Sequence, residues 1–442
     1  MSGGYHRAQS SGTAVLHPLE SPPSPLLLVA WALSGSMAST LRGQPTLLKA
    51  AAPFSTESTF VVFRVMKDWK DVQSTIERLG NRLTATQVVA ALNCLKRMPT
   101  RPPEALLHKL CRSAMRLEPQ MQPRHVVDVV HACGKMAFID RPLLTLLAQS
   151  IITLPRLSPA RFEGRDFGAL LHGLAMIQSA TSAPVASAPF SRANDPFDSF
   201  RELMTSLGAE LSTPRRLASL RESHLGFIIL GLGRVGRLGP RGPSVIHALA
   251  SECLKPERAP NLTAAQLGAI SDGLRRLRYA DLAVVGRLAS EASRPERLRS
   301  FTSEDLAHVI FAFGSLGVRN YPAAWKLGME ATRGARVRSF DERSLASVLY
   351  GLTQLQLAEA GVLDPLLQEV VKPERLANFS GRDFVLVLDG LVAARLRDRG
   401  VLGALWREAF GGEGLGRRRV SDWELACMRY SFGKLGVFRG EC

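Results

Sequence analysis

The most suggestive chemical motif in the chain is the stretch FIILGLGRVGRLG, residues 227–239. Gly231, Gly233 and Gly236 have the G-x-G-x-x-G spacing of the turn that cradles the pyrophosphate of a dinucleotide. Glu252 follows at about the distance at which such proteins place the acid that binds the ribose. This chemistry requires a β-strand before the glycines and a parallel sheet around them. Whether the motif binds a nucleotide therefore depends on the elements that surround it.

Other residues offer little further chemistry. The six cysteines have neither C-x-x-C spacing nor a histidine at metal-ligand spacing, so we expect free thiols, a reducing compartment and no metal site. The sequence has neither the H-E-x-x-H zinc motif nor the G-x-x-x-x-G-K-[ST] phosphate loop. Three consecutive arginines, Arg417, Arg418 and Arg419, either contact phosphate or are simply solvated. We therefore expect a protein without catalytic activity and without a cofactor.

Nine segments of twelve residues resemble one another, and this repetition determines the expected fold. Seven of the intervals between their first residues measure 38 to 42 residues, and one measures 58. The long interval contains a Pro/Ser/Ala-rich insertion, residues 180–199, with the composition of a loop. The segments begin at Gln87, His125, Asp166, His224, Gln266, Asp305, Ser344, Asp383 and Glu424.

Each segment carries the pattern of a helix. With its first residue as position 0, apolar residues fall at +1, +4, +5, +8 and +11, which is a helical stripe. Thr263-x-x-Gln266 is a capping-box pattern, and a second apolar helix follows in most units. Position +7 is small throughout, as closely crossing helices require. We predict an all-α, right-handed α-solenoid of about nine helix-turn-helix repeats of ~39 residues.

This pattern answers the question of the glycine motif, since its glycines fall at +7, +9 and +12 of the fourth segment. We therefore predict a glycine-rich helix there and no nucleotide site. Positions +3, +6 and +10 lie opposite the apolar stripe, and +10 is partly basic. The candidate RNA-binding residues, on the expected concave face, are Asn93, Arg97, His131, Lys135, His172, Arg234, Asp272, Arg276, His308, Phe311, Tyr350, Asp389, Tyr430 and Lys434.

Charge and the variety of these side chains favour single-stranded RNA as the partner. The chain has 56 Lys and Arg against 39 Asp and Glu, a formal net charge of +17. Bases stack on aromatic side chains or bond to polar edges, while cations hold phosphates. The alternative is a solvated face on which Phe311 or Tyr350 merely packs on the next repeat.

The repeated unit, F-[ST]-x-x-D-L-x-x-V-x-x-[AG]-[LF]-x-x-L, is clearest at residues 301–316 and 379–391. It resembles the octotricopeptide and heptatricopeptide repeats of organellar RNA-binding proteins, whose architecture the FAST-kinase-like proteins share. The resemblance covers residues 83–437 and implies an α-solenoid acting in organellar RNA processing, stability, translation or ribosome assembly. The chain departs from these families in two ways. It lacks their frequent Asn at +3 and Trp at +6, and we expect no C-terminal RAP domain. The second departure weakens any nuclease role.

Outside the repeats we expect a targeting presequence or disordered region at residues 1–56. Its Arg, Ser, Thr and Ala with a single acid, Glu20, favour import into mitochondria, with plastid or secretory routes as alternatives. The apolar stretch of residues 25–33 is too short to span a membrane, and Met37 is an alternative start. Repeats 1–3 are expected at residues 57–179 and repeats 4–9 at residues 200–442.

The sequence therefore predicts a mitochondrial matrix protein that binds organellar RNA without catalysis. Ribosomal RNA or ribosome assembly is the favoured role, and messenger RNA is the other. The alternative function is an armadillo-like scaffold that holds a helix or an extended peptide in the same groove. The ninth repeat lacks its second helix, so we expect either a protein partner at that end or a truncated chain.

Overall fold

A computed structural model describes residues 63, 66–181, 197–236, 242–279, 281–357, 361–411 and 420–437. The chain divides into two units, Met1–Val65 and Met66–Cys442, and all of the described residues except Phe63 belong to the second. Several predicted features lie outside the described residues: the presequence, most of the insertion, and Arg417, Arg418 and Arg419.

The described part of the chain consists of α-helices joined by turns and short 3-10 helices, and it contains no β-strand. The prediction of an all-α fold is therefore confirmed for these residues. The 22 α-helices are α1 (Trp69–Leu79), α2 (Ala85–Leu95), α3 (Glu104–Leu117), α4 (Pro123–Lys135), α5 (Arg141–Thr153), α6 (Gly164–Thr181), α7 (Phe197–Leu211), α8 (Pro214–Ser219), α9 (Glu222–Val235), α10 (Gly242–Cys253), α11 (Ala264–Arg276), α12 (Leu282–Ala292), α13 (Pro295–Ser300), α14 (Ser303–Leu316), α15 (Tyr321–Ala331), α16 (Gly334–Ser339), α17 (Glu342–Gln354), α18 (Asp364–Val370), α19 (Pro373–Leu376), α20 (Gly381–Ala394), α21 (Arg399–Phe410) and α22 (Asp422–Leu435).

The repeated segments form one continuous layer, because each lies on a helix that packs against the helix of the next segment. We call these the first helices: α2, α4, α6, α9, α11, α14, α17, α20 and α22. A second helix follows and, at α3, α10, α12, α15 and α18, it packs on the first helix before it. The helices thus pack consecutively along the chain, as the repetition predicts.

The first helices begin where their capping residues predict. The Thr263 hydroxyl accepts a hydrogen bond from the Gln266 backbone N–H, and the Gln266 side chain accepts one from the Thr263 N–H. Leu262, just before this box, is fully buried and anchors the incoming chain. The same two-way box starts three other first helices, at Thr84–Gln87, Ser380–Asp383 and Ser421–Glu424.

The small residues at position +7 are explained by the very close approach of neighbouring first helices. A Cβ atom on Gly273 would lie 2.6 Å from the carbonyl oxygen of Ile229, and one on Gly351 would lie 2.6 Å from that of Ile310. At the crossing of α14 with α17 position +9 is equally tight, since a Cβ on Gly314 would lie 2.5 Å from the Gly351 oxygen. Backbone therefore packs on backbone at these crossings, and only glycine or another small residue fits.

The glycine motif of residues 231–236 belongs to this layer and not to a nucleotide turn. Gly231 and Gly233 lie within α9, and Gly233 packs against Gly273 of α11. Gly236 ends the helix in the left-handed conformation, with φ at 70°, where the absence of a side chain avoids strain. The prediction of a glycine-rich helix is confirmed.

A second set of repeated contacts, which the sequence-based expectations did not include, joins the turns. A glutamate near the end of a second helix pairs with an arginine six residues later, and in four of the five cases this glutamate is almost fully buried. Glu330 Oε1 lies 3.0 Å from Arg336 Nη2. The other terminal nitrogen of Arg336, Nη1, donates to the Phe301 carbonyl of the preceding turn at 2.8 Å. We call these the turn pairs; they are Glu210–Arg216, Glu252–Arg258, Glu291–Arg297, Glu330–Arg336 and Glu369–Arg375.

The turn pairs account for part of the basic composition. The last four of their glutamates follow one another at intervals of 39 residues, and so do the last four arginines. In each of these pairs the arginine lies beside the buried carboxylate and donates to at least one carbonyl oxygen of the preceding turn, although Arg297 Nε and Glu291 Oε1 stand 3.5 Å apart and are not hydrogen-bonded. These arginines are therefore structural, and the remaining cations must supply any anion-binding surface.

Candidate nucleic-acid interface

Positions +3, +6 and +10, which we call the outer positions, do face solvent in most segments. Of the fourteen candidate residues, Arg97, Lys135, Arg234, Arg276, Asp389, Tyr430 and Lys434 are exposed. Asn93, His131, His172, His308, Phe311 and Tyr350 are half-buried, and Asp272 is buried. The candidates thus lie on successive first helices, but they differ greatly in how much of each side chain a ligand can reach.

A chain of contacts runs from Lys96, the residue just after α2, to the outer positions of α4, α6 and α9. The Lys96 ammonium lies 3.2 Å from His131 Nδ1, and the rings of His131 and His172 stand 5.6 Å apart between centroids. Arg234 Nη1 lies 3.0 Å from His172 Nδ1. Both cations can only donate, so each imidazole accepts a hydrogen bond through Nδ1.

The electrostatics keep these imidazoles neutral at pH 7. Burial, with the Lys96 charge second, lowers the pKa of His131 to about 4. Burial and the neighbouring Arg234 also lower the pKa of His172. Because Nδ1 of each neutral ring already accepts from Lys96 or Arg234, the proton lies on Nε2, and the ring offers a ligand one N–H donor there.

A second chain of contacts follows the outer positions towards α22. The Arg275 guanidinium lies 4.7 Å from the centroid of the Phe311 ring, and the Phe311 and Tyr350 rings stand 5.5 Å apart. Burial and the nearby Asp389 carboxylate raise the pKa of Tyr350. Phe311 and Tyr350 therefore pack on each other across neighbouring repeats, as the alternative to RNA contact predicts for these two rings.

Asp272 and Arg276, both candidates for ligand contact, are instead bound to each other. Asp272 is only 5% exposed, and its carboxylate accepts from Arg275 at 2.6 Å and from Arg276 at 2.7 Å. Although burial opposes ionisation, these bonds from Arg276 and Arg275 lower the pKa of Asp272. Asp272 thus has no exposed edge for a base, and Arg276 shares this one carboxylate with Arg275, so that the three side chains keep a net charge of +1.

The strongest candidate site is a groove of about 560 Å³ between α6 and α9. Its lining is largely apolar, and Phe227 at position +3 stands in it with 63% of its surface exposed. A Cβ on Gly168 would lie 3.1 Å from the Phe227 Cβ, so a glycine at position 168 leaves the space that the Phe227 side chain occupies. The lining consists of Gly164, Arg165, Gly168, Ala169, His172, Ser223, His224, Phe227, Leu230, Gly231 and Arg234.

Cations and neutral imidazoles surround the apolar part of the groove. Arg165 forms only an exposed pair with Glu163, a contact worth little in water. Burial, then Arg221 and Arg165, lower the pKa of His224, which lies in the groove as does His172. An aromatic face, two guanidinium groups and two neutral imidazoles can stack one base, bond to its edge and hold the adjoining phosphates.

Sequence reasoning included His172 and Arg234 of this groove but did not select Phe227, Arg165 or His224. The signal was present, because an exposed phenylalanine at an outer position of a helix is unusual when its neighbours are basic. No protein-family model and no curated protein sequence matches the chain. Among the described residues, no helix is long and apolar enough to cross a membrane, and no group of side chains could hold a metal ion.

Proposed function

We propose that this protein binds single-stranded RNA along the outer positions of its first helices. The observation that carries the proposal is the groove between α6 and α9. There the exposed Phe227 offers a stacking surface beside Arg165 and Arg234. A net charge of +17 supplies the long-range attraction for a polyanion.

In this proposal the neighbouring side chains extend the site in both directions along the layer. His131 and Lys135 of α4 bind the strand on one side of the groove. Towards α22, the exposed Tyr430 carries Lys434 over its ring, with Nζ 5.4 Å from the centroid. A base stacked on the free ring face would bring its phosphate near that ammonium.

The cellular role follows from the sequence-level resemblance and from the composition of residues 1–56. We propose that the protein acts in the mitochondrial matrix on ribosomal or messenger RNA, as a ribosome component, an assembly factor or a factor in RNA processing or stability. Ultraviolet crosslinking of the tagged protein in isolated mitochondria tests this role. Footprints on ribosomal RNA support ribosome association, and the absence of crosslinked RNA contradicts the proposal.

Binding itself is tested with purified protein and a fluorescein-labelled 15-nucleotide single-stranded RNA of mixed sequence. Anisotropy titrations between 50 and 200 mM KCl should show affinity falling steeply, by about 10-fold or more, because bound phosphates release counterions. Phe227→Ala should weaken binding by ~1–3 kcal/mol through lost stacking. Tyr321→Ala is the matched control, since Tyr321 is an exposed aromatic residue on a second helix.

A charge reversal separates RNA binding from peptide binding in the same groove. Arg97, Lys135 and Arg234 together changed to Glu should abolish RNA binding, whereas Lys326→Glu on the second helix α15 should change it little. Arg276 is left unchanged because it is bound to the buried Asp272, so that its substitution would also alter a structural contact. The apolar floor also fits an apolar peptide side chain, and salt-independent RNA affinity with no effect of Phe227→Ala would favour that scaffold function instead.

A further inference from the structure

The first helices end in a left-handed backbone conformation that repeats from segment to segment. The residue at position +12 has positive φ in seven of the nine segments, at the left-handed end of a Schellman motif. In this motif the N–H at +13 donates to the carbonyl at +8, as from Tyr279 to Leu274 at 3.0 Å. The seven residues and their φ angles are Ala137 (49°), Gly236 (70°), Arg278 (50°), Gly317 (68°), Gln356 (62°), Arg395 (53°) and Gly436 (83°).

Glycine is the residue that suits this position, and three segments have it. In four others a side chain is forced into the left-handed region, where its Cβ crowds the following carbonyl oxygen. Two of those four side chains are arginines, Arg278 and Arg395, and both are exposed. Backbone strain that persists where other units have relieved it is a reason to look for a function of the side chain.

The register of the helices places these arginines on one edge of the layer. Position +2 of one first helix meets position 0 of the next at Gly226–Gln266, and position +9 meets position +7 at Gly233–Gly273 and at Gly314–Gly351. Neighbouring first helices therefore run in the same direction, and their C-terminal ends lie side by side. Exposed cations at or just beyond these ends that form no ion pair within the described residues define what we call the C-terminal edge: Arg97, Lys135, Arg234, Arg278, Arg319, Arg395, Arg397 and Lys434.

The charges of Arg278 and Arg395 are not used within the described part of the chain. Neither forms an ion pair there, in contrast to Arg276, which is bound to Asp272 two residues before Arg278. A helix C-terminus attracts a cation through its dipole, which offers one reason for basic residues at this edge. However, a Lys or Arg at +10 or +11 would gain the same attraction to the helix dipole, and the backbone there is not strained.

We infer that the C-terminal edge binds the phosphates of single-stranded RNA, and that Arg278 and Arg395 remain in a strained conformation because their charges contact those phosphates. This inference rests on the proposed RNA-binding function and adds to it the path of the sugar–phosphate backbone. Bases reach the outer positions, including the groove with Phe227, while phosphates follow the helix ends. The ligand contacts at the edge are therefore independent of base sequence.

Glycine substitution tests the inference, because it removes the charge and the strain together. The double variant Arg278→Gly/Arg395→Gly should weaken binding of the labelled 15-nucleotide RNA by ~10-fold or more at 100 mM KCl. It should also reduce the slope of log affinity against log salt by ~1.4, for two lost phosphate contacts. Its melting temperature should stay equal to that of the parent chain or rise.

The matched control is Ala137→Gly/Gln356→Gly, which relieves the same strain without removing a cation. It should raise the melting temperature and leave RNA affinity and salt slope unchanged. Arg278→Lys/Arg395→Lys should retain most of the affinity, because the charge remains. A lower melting temperature of the arginine-to-glycine variant with unchanged affinity would overturn the inference and assign these arginines to the helix dipole.

The outcomes separate this inference from the proposed function. Suppose that the parent chain binds RNA and that Phe227→Ala weakens this binding, whereas Arg278→Gly/Arg395→Gly does not. The inference about the C-terminal edge is then wrong, and the proposed binding at the groove is supported. If the parent chain does not bind single-stranded RNA at any salt concentration tested, both the proposed function and the inference about the C-terminal edge are wrong.

Discussion

The first-helix layer and the turns between repeats are joined to their neighbours by opposite means. In the helix layer the side chains are absent at the contact, so that Gly351 packs against the backbone of Ile310. In the turns the side chains are long and charged, so that Arg336 reaches both Glu330 and the preceding carbonyl of Phe301. Both devices recur with the same period, but they respond differently to mutation and to solution conditions.

The difference shows where a helical stack tolerates change. A backbone-to-backbone crossing leaves no space for one additional methyl group, because no side chain is present that could move aside. A turn pair holds its elements through polarity, so it is damaged by loss of a partner and not by a small change of size. Substitutions that remove atoms in one region and add them in the other distinguish the two kinds of contact.

The largest effect is expected from Gly351→Ala. Its new Cβ would lie 2.6–2.8 Å from atoms of Ile310, which must move away together with α14. We expect a loss of about 3 kcal/mol in the free energy of unfolding, measured by urea denaturation.

Gly433→Ala is the control for this substitution, because Gly433 at position +9 of α22 has open space around its would-be Cβ. It should stabilise the protein by about 0.5–1 kcal/mol, since alanine suits a helix better than glycine. Equal destabilisation by the two alanine substitutions would contradict the close-packing explanation.

A somewhat smaller loss, about 2 kcal/mol, is expected from Glu330→Ala, which leaves Arg336 without its buried carboxylate partner. Glu304→Ala is the control, because that glutamate is exposed at the start of α14 and should cost less than about 1 kcal/mol. The loss at Glu330 should persist at 0.5 M KCl, since buried pairs are screened weakly. A salt-sensitive loss would show that the turn pair is accessible to solvent ions.

The smallest effect concerns pH and His131. Its folded pKa of about 4 lies below the ordinary value of 6.5, so the unfolded chain binds the proton first as the pH falls. The stability that neutral His131 supplies is complete above pH 6.5 and is lost between pH 6.5 and about 4. Because the ring is half-exposed, we expect this loss to be only ~1 kcal/mol.

His131→Gln should remove that pH-dependent part. Urea denaturation at pH 7 and pH 4.5 should show the parent chain losing about 1 kcal/mol more than the variant. Identical losses in the two proteins would mean that His131 titrates in the folded state as it does in the unfolded chain.

The sequence was sufficient for the layer of first helices, because caps such as Thr263 and small residues such as Gly273 act locally and repeat visibly. It was insufficient for the turn pairs, although Glu330 and Glu369 stand 39 residues apart like the helices themselves. Charged residues are ordinarily exposed, so a repeated glutamate does not by itself indicate a buried side chain.

The candidate site could be predicted only in part, for a similar physical reason. Helical periodicity placed His172 and Arg234 on the outer face, but not in contact with each other. The groove depends on how α6 and α9 are offset at Gly168 and Phe227, and periodicity within one helix does not contain that offset. Asp272 lost its predicted role because Arg275 and Arg276, on its own helix, are near enough to bind it.

The turn pairs also have a consequence for how such a chain lengthens. Arg375 takes its carboxylates from Glu369 and Glu342 of the same unit, and from the preceding unit it contacts the main-chain oxygens of Phe340 and Arg338. Every polypeptide has such oxygens, whatever its side chains. A duplication of 39 residues would therefore supply a turn contact that needs no matching side chain in the neighbouring turn, whereas the crossing of first helices still requires small residues on both partners.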